Sequence, residues 1–129
     1  MEYAKYNFKI YQGVDKYIPF SFYSLVDDIK TNLDFTGSDF LMTIKSSYNK
    51  NIIDQLSLSN NRIKLGIIGT NGFEESTTSP YAVEIYFPHE ITSKYNVPEM
   101  VYDLFRLVDS NHEVLLHGKI EIIKGISYE

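Results

Sequence analysis

Four groups of side chains in this chain are of types that can do chemistry. His89-Glu90-Ile91-Thr92-Ser93 opens like the helical motif of zinc proteases. That motif needs a second imidazole four residues on, so that two ligands share a helix face. Ser93 stands there instead, and His89 reads as a solvated turn residue. Asp109, His112, Glu113 and His117 are close in sequence, but a metal needs three or four converging ligands. Asp109 and His112 fall in a turn while His117 falls on a strand face, so the set reads as polar residues on the outside of a hairpin. Asp27-Asp28 with Asp34 lacks the spacing of a calcium loop, which alternates oxygen ligands over about twelve residues around a glycine. Glu74 and Glu75 are adjacent, and adjacent residues of an extended chain point apart, which makes a poor acid–base pair. Gly66, Gly69 and Gly72 carry no Lys-Ser/Thr, and no Gly-x-Ser-x-Gly elbow exists. The reading is a protein without catalytic, cofactor-binding or metal-binding residues, and not an enzyme.

The elements that would position any site are strands. Tyr6, Phe8 and Ile10 alternate with Asn7, Lys9 and Tyr11, and Phe40, Met42 and Ile44 alternate with Leu41, Thr43 and Lys45. Tyr81, Val83, Ile85 and Phe87 follow the same rule, as do Val114, Leu116, Ile120 and Ile122. A period of two puts one apolar face on a sheet. Ile18, Phe20 and Phe22 enclose Pro19, which cannot donate to a ladder, so this strand belongs at an edge. Ile52–Ser59 and Arg62–Ile68 flank Asn60-Asn61, a pair suited to a two-residue hairpin turn. Leu25, Val26, Ile29 and Leu33 fit a short helical turn or a loop equally well. Gly69–Pro80 is the longest polar connection, and such loops are often functional. Phe73 within it is either a packed anchor or a contact for a partner. His89–Tyr95 could form one helical turn. The expectation is an all-β, immunoglobulin-like antiparallel sandwich of about seven to eight strands, one domain over residues 1–129, with at most one short helical turn.

Composition narrows the function classes. The 11 Tyr and 8 Phe, with no Trp, favour strands and surfaces that meet other proteins. No Cys is present, which removes disulfides, thiolate metal sites and a thiol nucleophile, and favours synthesis in a cytoplasm. Net charge is −5 with scattered Lys and Arg, which disfavours nucleic acid as a partner. No apolar run approaches the ~18 residues of a membrane span, and Met1–Lys5 lacks the apolar block of a signal peptide.

Several local patterns together resemble a known family. Gln12-Gly13 ends the first strand; Asp34-Phe35-Thr36-Gly37 precedes Leu41-Met42-Thr43-Ile44-Lys45. Ile91–Tyr95 leads toward Arg106-Leu107-Val108-Asp109-Ser110, and Leu115-Leu116-His117-Gly118-Lys119-Ile120 follows. Over nearly its full length the chain resembles the small immunoglobulin-like sandwich of tailed-bacteriophage structural proteins, such as the N-terminal domain of baseplate upper proteins. One residue is extra in Tyr102–Leu107, and a β-bulge near Leu104 would bring Tyr102, Leu104, Phe105 and Leu107 to one core.

The resemblance implies a structural or adaptor protein of a phage virion, made in the host cytoplasm. It would be oligomeric in the particle and bound to other virion proteins of tail, baseplate or capsid, with no cofactor. Candidate partner-binding residues are Phe73, Glu74 and Glu75 of the long loop, Tyr3 near one end and Tyr128 near the other. Sheet edges would add backbone pairing, and many copies would make weak contacts sufficient. The alternative is a carbohydrate-binding sandwich that stacks sugars on exposed rings, with Tyr11, Tyr17, Tyr23, Tyr48, Tyr86 and Tyr95 as candidates.

Overall fold

The computed structural model describes residues 4–124. Twelve strands and one helical turn follow in order among these residues: β1 (Ala4–Lys5), β2 (Phe8–Tyr11), β3 (Lys16–Ser21), β4 (Tyr23–Val26), β5 (Ile29–Asn32), β6 (Asp39–Ser46), β7 (Ile52–Ser57), β8 (Ile63–Gly69), β9 (Gly72–Glu75), β10 (Ala82–Phe87), α1 (His89–Thr92), β11 (Glu99–Val108) and β12 (Asn111–Ile123). The chain is all-β and sandwich-like, as the period-two runs require. No helix among the described residues is long and apolar enough to cross a membrane.

One sheet runs β1-β12-β11-β6-β7, with β2 also on β12. The other runs β3-β10-β8-β9. A third, two-stranded unit is β4-β5. Alternation sorts side chains between core and solvent: β6 buries Phe40, Met42, Ile44 and Ser46 while the residues between them stay partly accessible. Ile10, Leu56, Ile63, Ile85, Phe87, Met100, Leu104 and Ile120 are, with Phe35, the other largest fully buried side chains. Rings continue through it, with Phe35 edge-on to Phe40 at 5.0 Å and Phe8 against Tyr102 at 5.4 Å.

Among the described residues β3 pairs only with β10, with Pro19 opposite Glu84, so the proline strand is at an edge as expected. The ladder between β11 and β12 shifts register between Leu104 and Phe105, next to the expected bulge. The extra residue belongs to the other strand, however: Leu104 faces Leu116 and Phe105 faces Val114, which leaves Leu115 unpaired. Leu115 and Leu116 are therefore both buried. The pairing of β11 with β6 is unbroken, so Phe105 and Leu107 remain opposite Tyr102 and Leu104.

Three further expectations are corrected. Asn60-Asn61 does not close a hairpin: β7 lies in the first sheet and β8 in the second, so the link crosses between layers. Asn60 shapes that crossing by accepting from the N–H groups of Ser57 (3.0 Å) and Arg62 (3.1 Å), and Asn61 takes a φ of 62°. The stretch expected as a long loop folds back at once, because Gly69 pairs Gly72 and β9 lies against β8. Residues 23–32 are neither helix nor loop; they form the hairpin β4–β5, with Tyr23 opposite Asn32 and Val26 opposite Ile29.

The first strand also divides. β1 and β2 both run parallel to β12. At the break, the Asn7 side chain accepts from the Lys119 N–H at 2.9 Å and the Tyr6 N–H donates to the His117 carbonyl at 2.9 Å. Gly118 lies under this crossing, where a Cβ would fall 2.0 Å from the Tyr6 carbonyl oxygen.

Candidate interaction surface

The β4–β5 hairpin turns at Asp27 and Asp28, whose φ values of 51° and 64° are both positive. Two successive positive φ angles are the geometry of a tight type I′ turn, which suits the right-handed twist of paired strands. Aspartate tolerates that region better than β-branched residues do. The base of the hairpin is tied to the body: Leu33 N–H donates to the Phe22 carbonyl at 3.0 Å, and Phe22 N–H donates to the Tyr81 carbonyl at 3.3 Å. Phe22 and Leu33 pack on the core. Beyond them, all ten residues from 23 to 32 are exposed.

The arm is apolar where solvent would favour polar residues. Leu25 is 64%, Val26 62% and Ile29 66% exposed. Directly opposed residues share a face of a ladder, so Val26 and Ile29 form one apolar tip. Leu25 and Tyr23 lie on the other face, where the Lys30 ammonium sits 4.2 Å from the Tyr23 ring centroid. That second face borders a groove of about 480 Å³. The groove is lined by Ala4, Lys5, Tyr6 and Leu116 of the first sheet, by Phe20, Ser21 and Phe22 at the edge of the second, and by Tyr23 and Leu25. Tyr6 stands edge-on to Phe20 at 5.3 Å, giving the groove an aromatic wall. No ion pair of Lys5, Asp27 or Asp28 occurs among the described residues.

A second polar constellation lies between the sheets. Arg62 forms a two-point ion pair with Asp54, at 2.8 and 3.3 Å. Its Nε donates to the Tyr86 carbonyl at 2.8 Å, and its guanidinium lies 5.7 Å from the Phe87 ring centroid. Tyr95 donates to the same Asp54 carboxylate at 2.6 Å. Burial raises the Tyr95 pKa, and the bond to Asp54 adds to the effect. Burial opposes the Arg62 charge, but hydrogen bonding and attraction from Asp54 outweigh it, so its pKa lies above the ordinary value. Asp54 accepts from both Arg62 and Tyr95, and Arg62 also reaches the Tyr86 carbonyl. The arrangement can tie β7, the crossing and the segment after α1 together. Among the described residues no buried side-chain nitrogen or oxygen is unsatisfied.

The residues singled out from sequence separate in space. Phe73 is half-buried, and its ring covers Gly66 so closely that a Cβ there would be 2.7 Å from it. It is a packed anchor, filling the space that glycine leaves on the neighbouring strand. Glu74 and Glu75 are exposed on β9, the last strand of its sheet, where charge discourages edge pairing. Tyr3 and Tyr128 lie outside the described residues. His89 begins α1, its ring 3.0 Å from Asp15 and 3.3 Å from Glu90. Asp34 accepts from the Thr36 hydroxyl and N–H, which lower its pKa, and does not join Asp27 and Asp28 in a site. Glu113 lies 3.9 Å from Arg106. No group of three or more His, Asp or Glu is gathered as a metal site among the described residues.

Of the six candidate tyrosines, only Tyr17 and Tyr86 meet. They stack across β3 and β10 at 4.5 Å and 13°, and the hydrogen bond with Tyr17 pushes the Tyr86 pKa up to about 12. Tyr95 is buried, Tyr23 belongs to the arm, and Tyr11 and Tyr48 are exposed. Sequence reasoning missed the arm as an interaction surface. The available signal was Val26-Asp-Asp-Ile29, an acidic dipeptide between β-branched residues. Without a glycine it is a weak hairpin signature.

No protein-family model matches the chain, and no curated protein matches it. One solved structure with a similar course belongs to a family 123 glycoside hydrolase from Clostridium perfringens, described in connection with glycolipid glycan hydrolysis. It has 12% sequence identity and a TM-score of 0.45, covering 94% of this chain and 23% of that one. This chain thus spans less than a quarter of that enzyme's length.

Proposed function

We propose that this chain is a non-enzymatic docking module, a structural or adaptor protein of a tailed-phage virion, held to its neighbours through the β4–β5 arm. One observation carries the reading: three large apolar residues of the arm, Leu25, Val26 and Ile29, are each more than half exposed within one run of ten exposed residues. Soluble proteins keep contiguous exposed apolar patches small, and larger ones mark contact sites. A two-stranded hairpin is also marginal alone in water and gains from a surface to lie on. The sandwich behind it supplies rigidity, and the self-satisfied Asp54–Arg62–Tyr95 set supports a scaffold role over catalysis. The phage setting comes from the sequence resemblance.

The test is composition and occupancy of purified particles. Mass spectrometry should find the chain at fixed copy number, and Val26→Glu/Ile29→Glu should deplete it from particles while remaining folded. A folded variant incorporated at the wild-type level would refute docking through the arm, and a chain absent from particles would refute the setting.

A carbohydrate-binding module is the second reading, supported by the Tyr17–Tyr86 stack at the exposed β3 edge. Tyr17 is 56% exposed there, which leaves ring surface for a sugar to stack on. Glycan-array binding lost in Tyr17→Ala would favour it, and no binding would remove it.

A further inference from the structure

We infer that the occupant of the groove is the arm of a second copy of this chain, so that two molecules exchange β4–β5 hairpins about a two-fold axis. This inference deepens the docking reading and rests on it.

Three features point to a second copy. The first is adjacency. The groove is bordered by the arm's own Tyr23 and Leu25, while the tip residues Val26 and Ile29 are on the opposite face. Insert and receptacle are thus the two faces of one hairpin, so two clasped arms can each set their outer face into the other copy's groove. A contact in which the same patch serves both partners is isologous and closes at two copies.

The second is charge. The tip carries Asp27 and Asp28, and the groove carries Lys5, none of them in an ion pair among the described residues. Seating the apolar tip of one copy against Phe20 and Phe22 of the other brings the aspartates toward that copy's Lys5. The pairing occurs twice, once on each side of the axis. Opposite charges at such a rim set orientation and register.

The third is size. The arm has ten exposed residues and the groove nine lining residues, two of them shared. The union approaches the roughly 20 residues per side of a standard interface. It is a compact contact of moderate strength, with Val26 and Ile29 at its centre.

Sedimentation equilibrium of the full chain from micromolar to millimolar concentration tests this directly. The expected result is a monomer–dimer equilibrium ending at twice the 15.0 kDa chain mass. Val26→Glu/Ile29→Glu should weaken the dimer at least about tenfold, as truncation of central contacts does. Lys5→Glu should weaken it by a smaller, salt-dependent factor. Tyr48→Glu, at an exposed aromatic elsewhere, should leave it unchanged. Circular dichroism of each variant should match the wild type, since all four positions are exposed in the monomer. A wild type monomeric throughout, a trimer or larger closed species, or a dimer indifferent to the Val26/Ile29 variant would overturn the exchange. The particle assay reports separately on docking. Depletion of the arm variant from particles with a monomeric wild type would reject the second copy and keep docking, whereas normal incorporation with a dissociated dimer would reject docking and keep the exchange.

Discussion

The Tyr102 hydroxyl donates a 2.6 Å hydrogen bond to the Tyr6 carbonyl. Tyr102 is in the middle of β11 and Tyr6 is at the break between β1 and β2, so the bond fastens the first strand across β12 to the interior of its sheet. Tyr6 also lines the groove beside the arm. The core side chain Tyr102 thus helps to fix one side of the candidate surface.

Tyr102→Phe should lower stability by about 1 kcal/mol, the net worth of one hydrogen bond. Urea denaturation measures the loss. Hydrogen exchange should quicken at Tyr6 and Lys119, which flank the break, more than in β6.

Gly118→Ala should be costlier than an exposed substitution in the same strand, because its Cβ would meet backbone rather than a movable side chain. Overpacking of this kind costs roughly 1–3 kcal/mol. The expected signature is loss of exchange protection in β1 and β2 with β11 retained, and Lys119→Ala, at an exposed neighbour, serves as the control.

Arg62→Met should cost about 3 kcal/mol, since removing one partner leaves a largely buried Asp54 carboxylate. Replacing the whole set, as Asp54→Leu/Arg62→Met/Tyr95→Phe, should cost less than the single change. Thermal denaturation of the two proteins decides between them. A triple variant less stable than Arg62→Met would show that the polar set contributes more than apolar packing can.

Alkaline pH should destabilise the fold. Burial raises the pKa of both Tyr95 and Tyr102, with the bond to Asp54 adding at Tyr95 and the neighbouring Tyr6 adding at Tyr102. The unfolded chain loses these protons near pH ~10 while the folded chain keeps them. The contribution is therefore complete below about pH 10 and falls as pH rises above it. The melting temperature should be flat to about pH 9 and decline beyond pH ~10. Tyr95→Phe/Tyr102→Phe should flatten that decline.

Much of the sandwich is legible in the chain because alternation encodes it. Phe40, Met42 and Ile44, or Val83, Ile85 and Phe87, can satisfy their apolarity only by facing one core, and Pro19 can sit only where its missing donor is not needed. The bulge is legible as a conflict of phase around Leu104, but not the strand that absorbs it, since Leu115 is as apolar as its neighbours. The crossing at Asn60-Asn61 is not legible. Left-handed φ at Asn61 serves a hairpin and a sheet-to-sheet link equally, and only the distant pairing of β8 with β10 distinguishes them. Phe73 could be read either way because the glycine its ring packs on, Gly66, is a neighbour only after β9 folds back.

The arm was hidden for a different reason. Leu25, Val26, Ile29 and Leu33 have spacings that a helix also satisfies, and sequence rules assign apolar residues to the interior. Leu33 obeys that rule and the other three do not. A residue that is apolar for a partner's sake carries the same letter as one that is apolar for the core.

Hydrogen exchange of the β4–β5 amides over a dilution series tests the central claim most directly. At high protein concentration the amides of residues 23–32 should exchange slowly, and dilution should release them while β6, β10 and β11 stay protected. Rates in the arm that are fast and identical at every concentration, and equal to those of Val26→Glu/Ile29→Glu, would contradict the account.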